Sequence, residues 1–296
     1  MRWHYRVRAL YGQRMLSRIL GILEAQGLQP SYLQCQSHAP SAIVDIVLEA
    51  DAEKARRVGL LLTRMDRVPS VIYRMVSDNS LLDEELSAIA YATRAPQHAR
   101  PDLDPLCDFW RTAPSLFMNR DPFNRFVSGH ETEVRFCWTD NTLSLLFQCE
   151  YEVLNLRHAS PDLSAPTDRL WEHDVAEIFI AASSARQECY SEFQVSPRSE
   201  WLDVQVETLK DGEPQTLTLQ SGFVCEARIA VNESRWLAMM HIPFKAILSS
   251  VLTVGTSFRM NLYRSQGTFH TELAWRPTIH QSFHVPASFG TLILVD

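Results

Sequence analysis

Ten short runs with apolar residues at alternate positions fill the last two-thirds of the sequence and limit its fold more than any other feature. They cover residues 133–138, 143–150, 175–181, 190–195, 201–207, 223–229, 237–242, 258–263, 273–275 and 291–295. Turn-forming stretches, such as Thr139-Asp140-Asn141 and Lys210-Asp211-Gly212, separate neighbouring runs. Many short strands at this spacing predict an all-β antiparallel sandwich over residues 103–296.

The first 76 residues have a different periodicity. Extended runs are predicted at 3–10, 32–37, 42–49 and 71–75, and apolar residues at helical spacing at 15–26 and 52–65. Gly27 is a helix stop and Asp51 a suitable N-cap for the second helix. The order βαββαβ predicts a ferredoxin-like α+β domain over residues 1–76. Residues 77–102 are predicted to be a helical linker, with a short helix at 81–92.

Three groups of residues in the N-terminal segment match a known pattern. They are Leu16-Ser17-Arg18-Ile19-Leu20, the helix stop at Gly27, and Arg64-Met65-Asp66-Arg67-Val68. With them the segment resembles ACT domains, most of all the small regulatory subunits of acetolactate synthase. The resemblance implies a homodimer through this domain and an amino-acid effector at the loop of Gly12, Gln13 and Arg14. A role in dimerisation or docking alone is the alternative.

Charge and hydropathy exclude several classes of partner. Residues 1–76 carry 11 Lys/Arg against 6 Asp/Glu, whereas residues 77–296 carry 17 against 29. An acidic domain of this size repels phosphate backbones, so no nucleic-acid partner is expected. No run approaches the roughly 20 apolar residues that cross a bilayer, and no signal-peptide core is visible, which predicts a cytoplasmic protein without a membrane partner. The six cysteines are far apart and are expected to be free thiols.

Six sequence blocks occur in order along the β-rich region. They are 104–110, 133–147, 170–180, 190–197, 258–278 and 283–292. The most specific block is Leu170-Trp171-Glu172-His173-Asp174-Val175-Ala176-Glu177-Ile178-Phe179-Ile180. With these blocks, residues 103–296 resemble the family 9 carbohydrate-binding modules and their DOMON-like relatives. The resemblance implies a saccharide ligand clamped between two aromatic rings.

Strand periodicity places one carboxylate of the third block beside its tryptophan. Ala176, Ile178 and Ile180 form an apolar set for the core, so Glu177 faces the opposite side. An aromatic plane accepts C–H contacts from a pyranose, and a carboxylate accepts hydrogen bonds from its hydroxyls. The resemblance implies that Trp171 and Phe283 are the two planes and that Asn261 and Gln194 occupy polar ligand positions.

No catalytic motif is visible, and the expected protein is a non-catalytic saccharide-end binder without a required cofactor. Glu172 or Asp174 paired with Glu177 would be the carboxylates of a glycosidase. Family relatives suggest calcium, for which Asp162, Asp168 and Asp174 could supply oxygens, and haem, for which Met239, Met240 and His241 are the local candidates. The rival function is an amino-acid sensor that acts through the N-terminal domain, with the sandwich as a degenerate scaffold.

Overall fold

A computed structural model describes residues 1–10, 14–38, 41–76, 88–157, 160–208, 214–248 and 251–296. The chain divides into two compact units, Met1–Glu85 and Leu86–Asp296. Each unit has its own buried apolar core. Among the described residues, none of the helices has both the length and the apolar character needed to cross a membrane.

The smaller unit is a four-stranded antiparallel sheet with two helices. Its elements are β1 (Arg2–Leu10), α1 (Met15–Ala25), β2 (Pro30–His38), β3 (Ser41–Glu49), α2 (Ala52–Thr63) and β4 (Ser70–Val76), with the sheet order β2-β3-β1-β4. The carboxylate of Asp51 accepts a hydrogen bond from the Lys54 amide at 2.7 Å, which confirms the predicted N-cap of α2. Ile19 and Val58, one from each helix, are fully buried in the core of this unit.

The larger unit contains the other strands of the described chain. They are β5 (Ile89–Arg94), β6 (Ser115–Met118), β7 (Thr132–Trp138), β8 (Thr142–Glu150), β9 (Val175–Ala182), β10 (Cys189–Val195), β11 (Trp201–Thr208), β12 (Pro214–Thr218), β13 (Val224–Ala230), β14 (Arg235–Pro243), β15 (Ser257–Gln266), β16 (Thr271–Ala274) and β17 (Gly290–Val295). Short 3₁₀ turns occupy Asp108–Trp110, Leu170–Glu172, Val231–Glu233, Phe244–Ala246 and Pro286–Ser288.

These strands form one continuous sheet that folds over its own core. Its order is β12-β11-β10-β9-β15-β17-β5-β7-β8-β14-β13, with β16 paired to β15 and β6 to β7. Inward side chains of β9, β10, β15 and β17 meet those of β7, β8 and β14 in a single cluster of buried apolar residues. The unit is therefore a β-sandwich whose two layers are joined along β17, β5 and β7.

Of the predicted fold class, the β-sandwich is confirmed, but the ferredoxin-like α+β domain before it and the purely antiparallel pairing of the sandwich are wrong. The chain is mostly β, and α1 and α2 are the only α-helices in the part that the structure describes. A ferredoxin-like domain of ACT type is not established for the smaller unit, because the residues that join β1 to α1 and β2 to β3 lie outside the described ranges.

The pairing within the sandwich also differs from the prediction. Strand β5 runs parallel to both β17 and β7, so the sheet is mixed rather than antiparallel. This strand lies where the sequence predicted part of a helix at 81–92. Its first five residues are all buried, and a strand that is covered on both faces lacks the alternation by which strands are recognised.

Candidate functional site

Strand β9 has one apolar face and one face with a buried carboxylate. Ala176, Ile178 and Ile180 belong to the central core, which confirms the predicted inward set. Phe179 lies in a second apolar cluster on the outer side of the sheet. Glu177 shares that outer face and is only 1% exposed. Strict alternation of side chains along an extended strand produces this division.

Strand β10 supplies the polar partner of Glu177. Gln194 lies directly opposite Glu177 in the antiparallel register, and Glu192 is the preceding residue on the same face. The Gln194 amide nitrogen donates to Glu177 Oε2 at 3.2 Å and to Glu192 Oε1 at 2.5 Å. Both hydrogens of that amide are then used, and one neutral side chain bridges two buried carboxylates.

Each of these three side chains keeps a buried oxygen without a hydrogen-bond partner. The atoms are Glu177 Oε1, Glu192 Oε2 and Gln194 Oε1. Buried polar atoms are nearly always paired in folded proteins, because leaving one unpaired costs on the order of 1–3 kcal/mol. Three unpaired oxygens in one cluster leave three positions at which a bound molecule can donate hydrogen bonds.

Burial raises the pKa of both carboxyl groups. Burial is the main cause that raises the pKa of Glu177 well above its ordinary value, and the nearby Glu192 and Glu272 raise it further. Burial also raises the pKa of Glu192 to about 7, although the hydrogen bond from Gln194 opposes this shift. The pair therefore has little compensating positive charge.

The tryptophan of the predicted site stands on a short turn just before β9. Trp171 is the middle residue of the 3₁₀ turn Leu170–Glu172, which follows Arg169 in the left-handed region at φ 55°. Leu170 is fully buried and anchors this turn, whereas Trp171 is 45% exposed. Arg169 also pairs with the Glu172 carboxylate across the turn. The turn thus presents an indole ring outward while its neighbour is fixed in the interior.

Phe283 is held by a tyrosine on β15. The rings of Phe283 and Tyr263 stack with centroids 4.2 Å apart and planes 11° from parallel. The Tyr263 hydroxyl donates to the Phe283 carbonyl oxygen at 2.9 Å. Next to them, His284 stacks on Phe179 at 5.2 Å and shares a 2.6 Å hydrogen bond with the Tyr190 hydroxyl. A continuous aromatic cluster therefore fixes the second wall of the site.

The two buried carboxylates, Trp171 and Phe283 line one cavity of about 760 Å³, which is within the size range of small-molecule sites. Its walls include Pro166, Asp168, Trp171, Glu177, Phe179, Glu192, Gln194, Leu202, Val204, Thr216, Thr218, Ser265, Glu272, Gln281, Phe283 and His284. Trp171, Glu177, Gln194 and Phe283, four of the residues predicted from the sequence, are thus brought together. Aromatic walls with buried oxygens between them can accept both the faces and the hydroxyls of a sugar.

Asn261 is placed elsewhere. Its amide nitrogen donates to the Arg276 carbonyl oxygen at 2.8 Å and to the Tyr263 hydroxyl at 2.7 Å, and its Oδ1 accepts from the Arg276 amide at 2.9 Å. Asn261 is fully buried and is not among the residues that line the cavity. The polar atoms of Asn261 therefore bind the backbone of Arg276 and the Tyr263 hydroxyl.

The residues suggested for a metal or haem do not form such a site. Asp174 is fully buried, and its Oδ1 accepts the amides of Asn155 at 3.2 Å and Gly267 at 2.6 Å. No cluster of three or more His, Cys, Asp or Glu side chains suited to a metal occurs within the described ranges. Met240 lies in the core, whereas His241, on the other face of β14, shares a hydrogen bond with Ser144.

The predicted effector loop is only partly described. Gly12 and Gln13 lie outside the described residues, while Arg14 is exposed and precedes α1 at φ 70°. Two acidic residues of the cavity, Glu192 and Glu272, were missed from the sequence. A signal for Glu192 was present, because it precedes Gln194 by two positions in a strand and must share its face.

Comparison with known proteins assigns the larger unit. A family model described as carbohydrate family 9 binding domain-like matches residues 107–296. A protein from Arthroderma benhamiae named Extracellular protein is 26% identical over 179 residues, or 56% of this chain and 79% of that protein. The matched family region includes every residue that lines the cavity. It begins beyond the smaller unit, so the ACT-like assignment of residues 1–76 has no support from this match.

Solved structures share the fold at low identity. One, described as a candidate carbohydrate-binding protein from Bacteroides uniformis, has a TM-score of 0.55 and 17% identity, and the match covers 70% of this chain and 98% of that one. Another is a family 9 module from Caldicellulosiruptor kristjanssonii in complex with cellotriose, with a TM-score of 0.47, 15% identity, and coverage of 70% and 93%. The first supports the sandwich fold alone.

Proposed function

Because this chain belongs to the carbohydrate family 9 binding domain-like family, we propose that it is a non-catalytic protein that binds the end of a saccharide in the cavity between Trp171 and Phe283. In this proposal the two rings contact the faces of the terminal sugar. Glu177 and Gln194 accept hydrogen bonds from its hydroxyls. Asn261 acts indirectly, by holding the backbone that leads to Phe283.

One observation carries the proposal. Glu177 Oε1, Glu192 Oε2 and Gln194 Oε1 are buried acceptors without partners, and all three residues line a cavity with aromatic walls. A pyranose offers several hydroxyl donors around a ring whose C–H groups pack on aromatic faces. A purely apolar ligand would leave the three oxygens unpaired at a cost of about 1–3 kcal/mol each.

Binding explains the carboxylates better than hydrolysis does. Glycosidases place two carboxyl groups on either side of a scissile bond, roughly 5–9.5 Å apart. Here Glu177 and Glu192 lie on neighbouring strands of one sheet face and share a single amide donor. Of the alternative partners, Glu172 pairs with Arg169, and Asp174 accepts two backbone amides. Membership of a family of binding domains likewise indicates a binding protein rather than an enzyme.

Titration calorimetry against a panel of mono- and oligosaccharides tests this site. The wild-type chain is expected to bind at least one saccharide, and Trp171→Ala is expected to weaken that binding by about tenfold or more, because a stacked aromatic contact is worth on the order of 1–2 kcal/mol. Phe269→Ala is the matched control, since Phe269 is 95% exposed and does not line the cavity. Undiminished affinity in Trp171→Ala would place the sugar elsewhere.

Two further predictions concern the oligomeric state of the protein and its location in the cell. The homodimer through the N-terminal unit and the cytoplasmic location both stay predictions from the sequence. Sedimentation velocity of the full chain tests the first, and a fluorescent fusion expressed in the native host tests the second. A monomer at micromolar concentration would contradict the dimer, and fluorescence outside the cytoplasm would contradict the location.

A further inference from the structure

The proposed saccharide cavity is strongly acidic. Its lining residues include four carboxylates, Asp168, Glu177, Glu192 and Glu272, and no lysine or arginine occurs among those lining residues. Among these lining residues, His284 alone has a side chain that could carry a positive charge. Burial lowers its pKa, and its Nδ1 is engaged with the Tyr190 hydroxyl. The cavity is therefore a poor site for an anionic sugar.

The unpaired atoms of the cluster are all oxygens, and each of them is an acceptor when the two carboxyl groups are ionised. Glu177 Oε1, Glu192 Oε2 and Gln194 Oε1 have no partners, while the one donor of the group, the Gln194 amide, is fully used. A sugar hydroxyl both donates and accepts, and its acceptor lone pairs would have no free donor in this cluster. An ammonium group has three donors and no acceptor, which matches this cluster in number and kind.

Charge compensation points the same way. No lysine or arginine lines the cavity beside Glu177 and Glu192. Burial raises the pKa of both carboxyl groups, and repulsion from Glu192 and Glu272 raises that of Glu177 further. A ligand cation would stabilise the ionised form of both carboxylates. The cavity also has Trp171, Phe179 and Phe283 in its walls, and aromatic faces attract cations in desolvated sites.

We propose, building on the saccharide site above, that the preferred ligand class is an amino sugar, a pyranose that carries a protonated amine. The aromatic walls contact the ring, and the ammonium group is bound between Glu177 and Glu192. A metal ion is the competing way to neutralise such a cavity. The part of the chain that the structure describes, however, offers no grouping of three His, Cys, Asp or Glu side chains able to hold one.

Calorimetry at about pH 7 with three matched ligands, glucosamine, N-acetylglucosamine and glucose, tests the proposal. They differ chiefly at one position, where the first has an amine, the second a neutral amide and the third a hydroxyl. Glucosamine is expected to bind about tenfold more tightly than the other two, since a hydrogen bond to a charged partner is worth about 1.5–3 kcal/mol. Its affinity, unlike that of glucose, is expected to fall as sodium chloride is raised.

An isosteric variant removes the charge and keeps the fold. Glu192→Gln retains an oxygen for the Gln194 amide, and it is expected to lower the ratio of glucosamine affinity to glucose affinity by about tenfold. Glu272→Gln, at a half-buried position of the same cavity, is a second variant with a smaller expected loss. Glu226→Gln is the control, because Glu226 is exposed on β13 and outside the cavity.

The outcomes separate this inference from the function on which it rests. Preference for glucosamine that is lost in Glu192→Gln supports both. Equal binding of glucose and glucosamine overturns the inference and leaves the saccharide site standing. Binding that requires added calcium or another divalent ion also overturns it. If no saccharide in the wider panel binds, the proposed function and the inference fall together.

Discussion

At the scale of single residues, Glu192 couples the stability of the protein to pH. Its pKa is about 7 in the folded protein against an ordinary value of 4.5, so the folded state holds a proton that the unfolded chain releases. Stability from this group is therefore highest below about pH 4.5 and falls as pH rises toward 7, by about 3 kcal/mol in all. Above that range its contribution is constant.

Chemical denaturation of the wild type and of Glu192→Gln between about pH 4.5 and pH 8 measures this effect. The variant is expected to gain stability relative to the wild type as pH rises, because it has no proton to lose. The difference between the two proteins is the relevant quantity, since His241 and His284 have lowered pKa values and make the wild type more stable with rising pH. A difference that does not change with pH would contradict the assignment.

The residues of the site were predictable to the extent that strand periodicity fixes them. The face of Glu177 followed from the apolar set Ala176, Ile178 and Ile180, and the structure confirms that set. Asn261 illustrates the limit. Its outward position on β15 is also a matter of periodicity, but the hydrogen bonds that occupy it come from Arg276 and Tyr263, and no local pattern shows which partners the fold will bring.

At the scale of elements, a short hydrogen-bonded chain ties β15 to the segment that carries Phe283. Asn261 pairs with both backbone groups of Arg276 and donates to the Tyr263 hydroxyl, which in turn donates to the Phe283 carbonyl oxygen. Buried amides that satisfy backbone groups act as extensions of the sheet. Strand β15 therefore positions the second aromatic wall through Asn261 and Tyr263. Neither residue lines the cavity.

Asn261→Ala tests this coupling. The variant is expected to lose on the order of 2 kcal/mol of unfolding free energy, because it removes the buried hydrogen bonds that Asn261 makes with the Arg276 backbone. It is also expected to weaken saccharide binding, although Asn261 touches no ligand, since the Phe283 segment is less firmly held. Thermal unfolding and calorimetry measure the two effects, with the exposed Asn232→Ala as control. Full affinity together with lost stability would show that Phe283 is positioned independently.

The strands of the sandwich were predictable from the sequence where apolar and polar residues alternate along them. All ten predicted runs of the sandwich correspond to strands between β7 and β17, with ends that differ by a few residues. The missed strands lack the signal for physical reasons. β5 is buried on both faces, β6 has four residues, and the side chains of β12 from Gln215 to Thr218 are exposed at the end of the sheet order. The mixed pairing around β5 is a long-range property that the local sequence does not encode.

At the scale of the whole molecule, each unit has its own core, and the candidate cavity is lined by residues of the sandwich. The core of the smaller unit is built from residues between Tyr5 and Tyr73, and that of the sandwich from residues between Ala90 and Leu294. All the residues that line the cavity lie between Pro166 and His284. The net charge has the same division, positive in the first 76 residues and negative beyond them. Ligand recognition is thus expected to be a property of the sandwich alone.

This division predicts that Leu86–Asp296, produced without the smaller unit, folds and binds saccharide like the full chain. A unit of this size buries enough apolar surface to be stable by itself. Circular dichroism is expected to show cooperative unfolding, and calorimetry an affinity within about twofold of the full chain, a difference below 1 kcal/mol. The Trp171→Ala change made in the shortened chain provides the control for binding at the same site. A shortened chain that unfolds cooperatively but no longer binds saccharide would contradict this prediction.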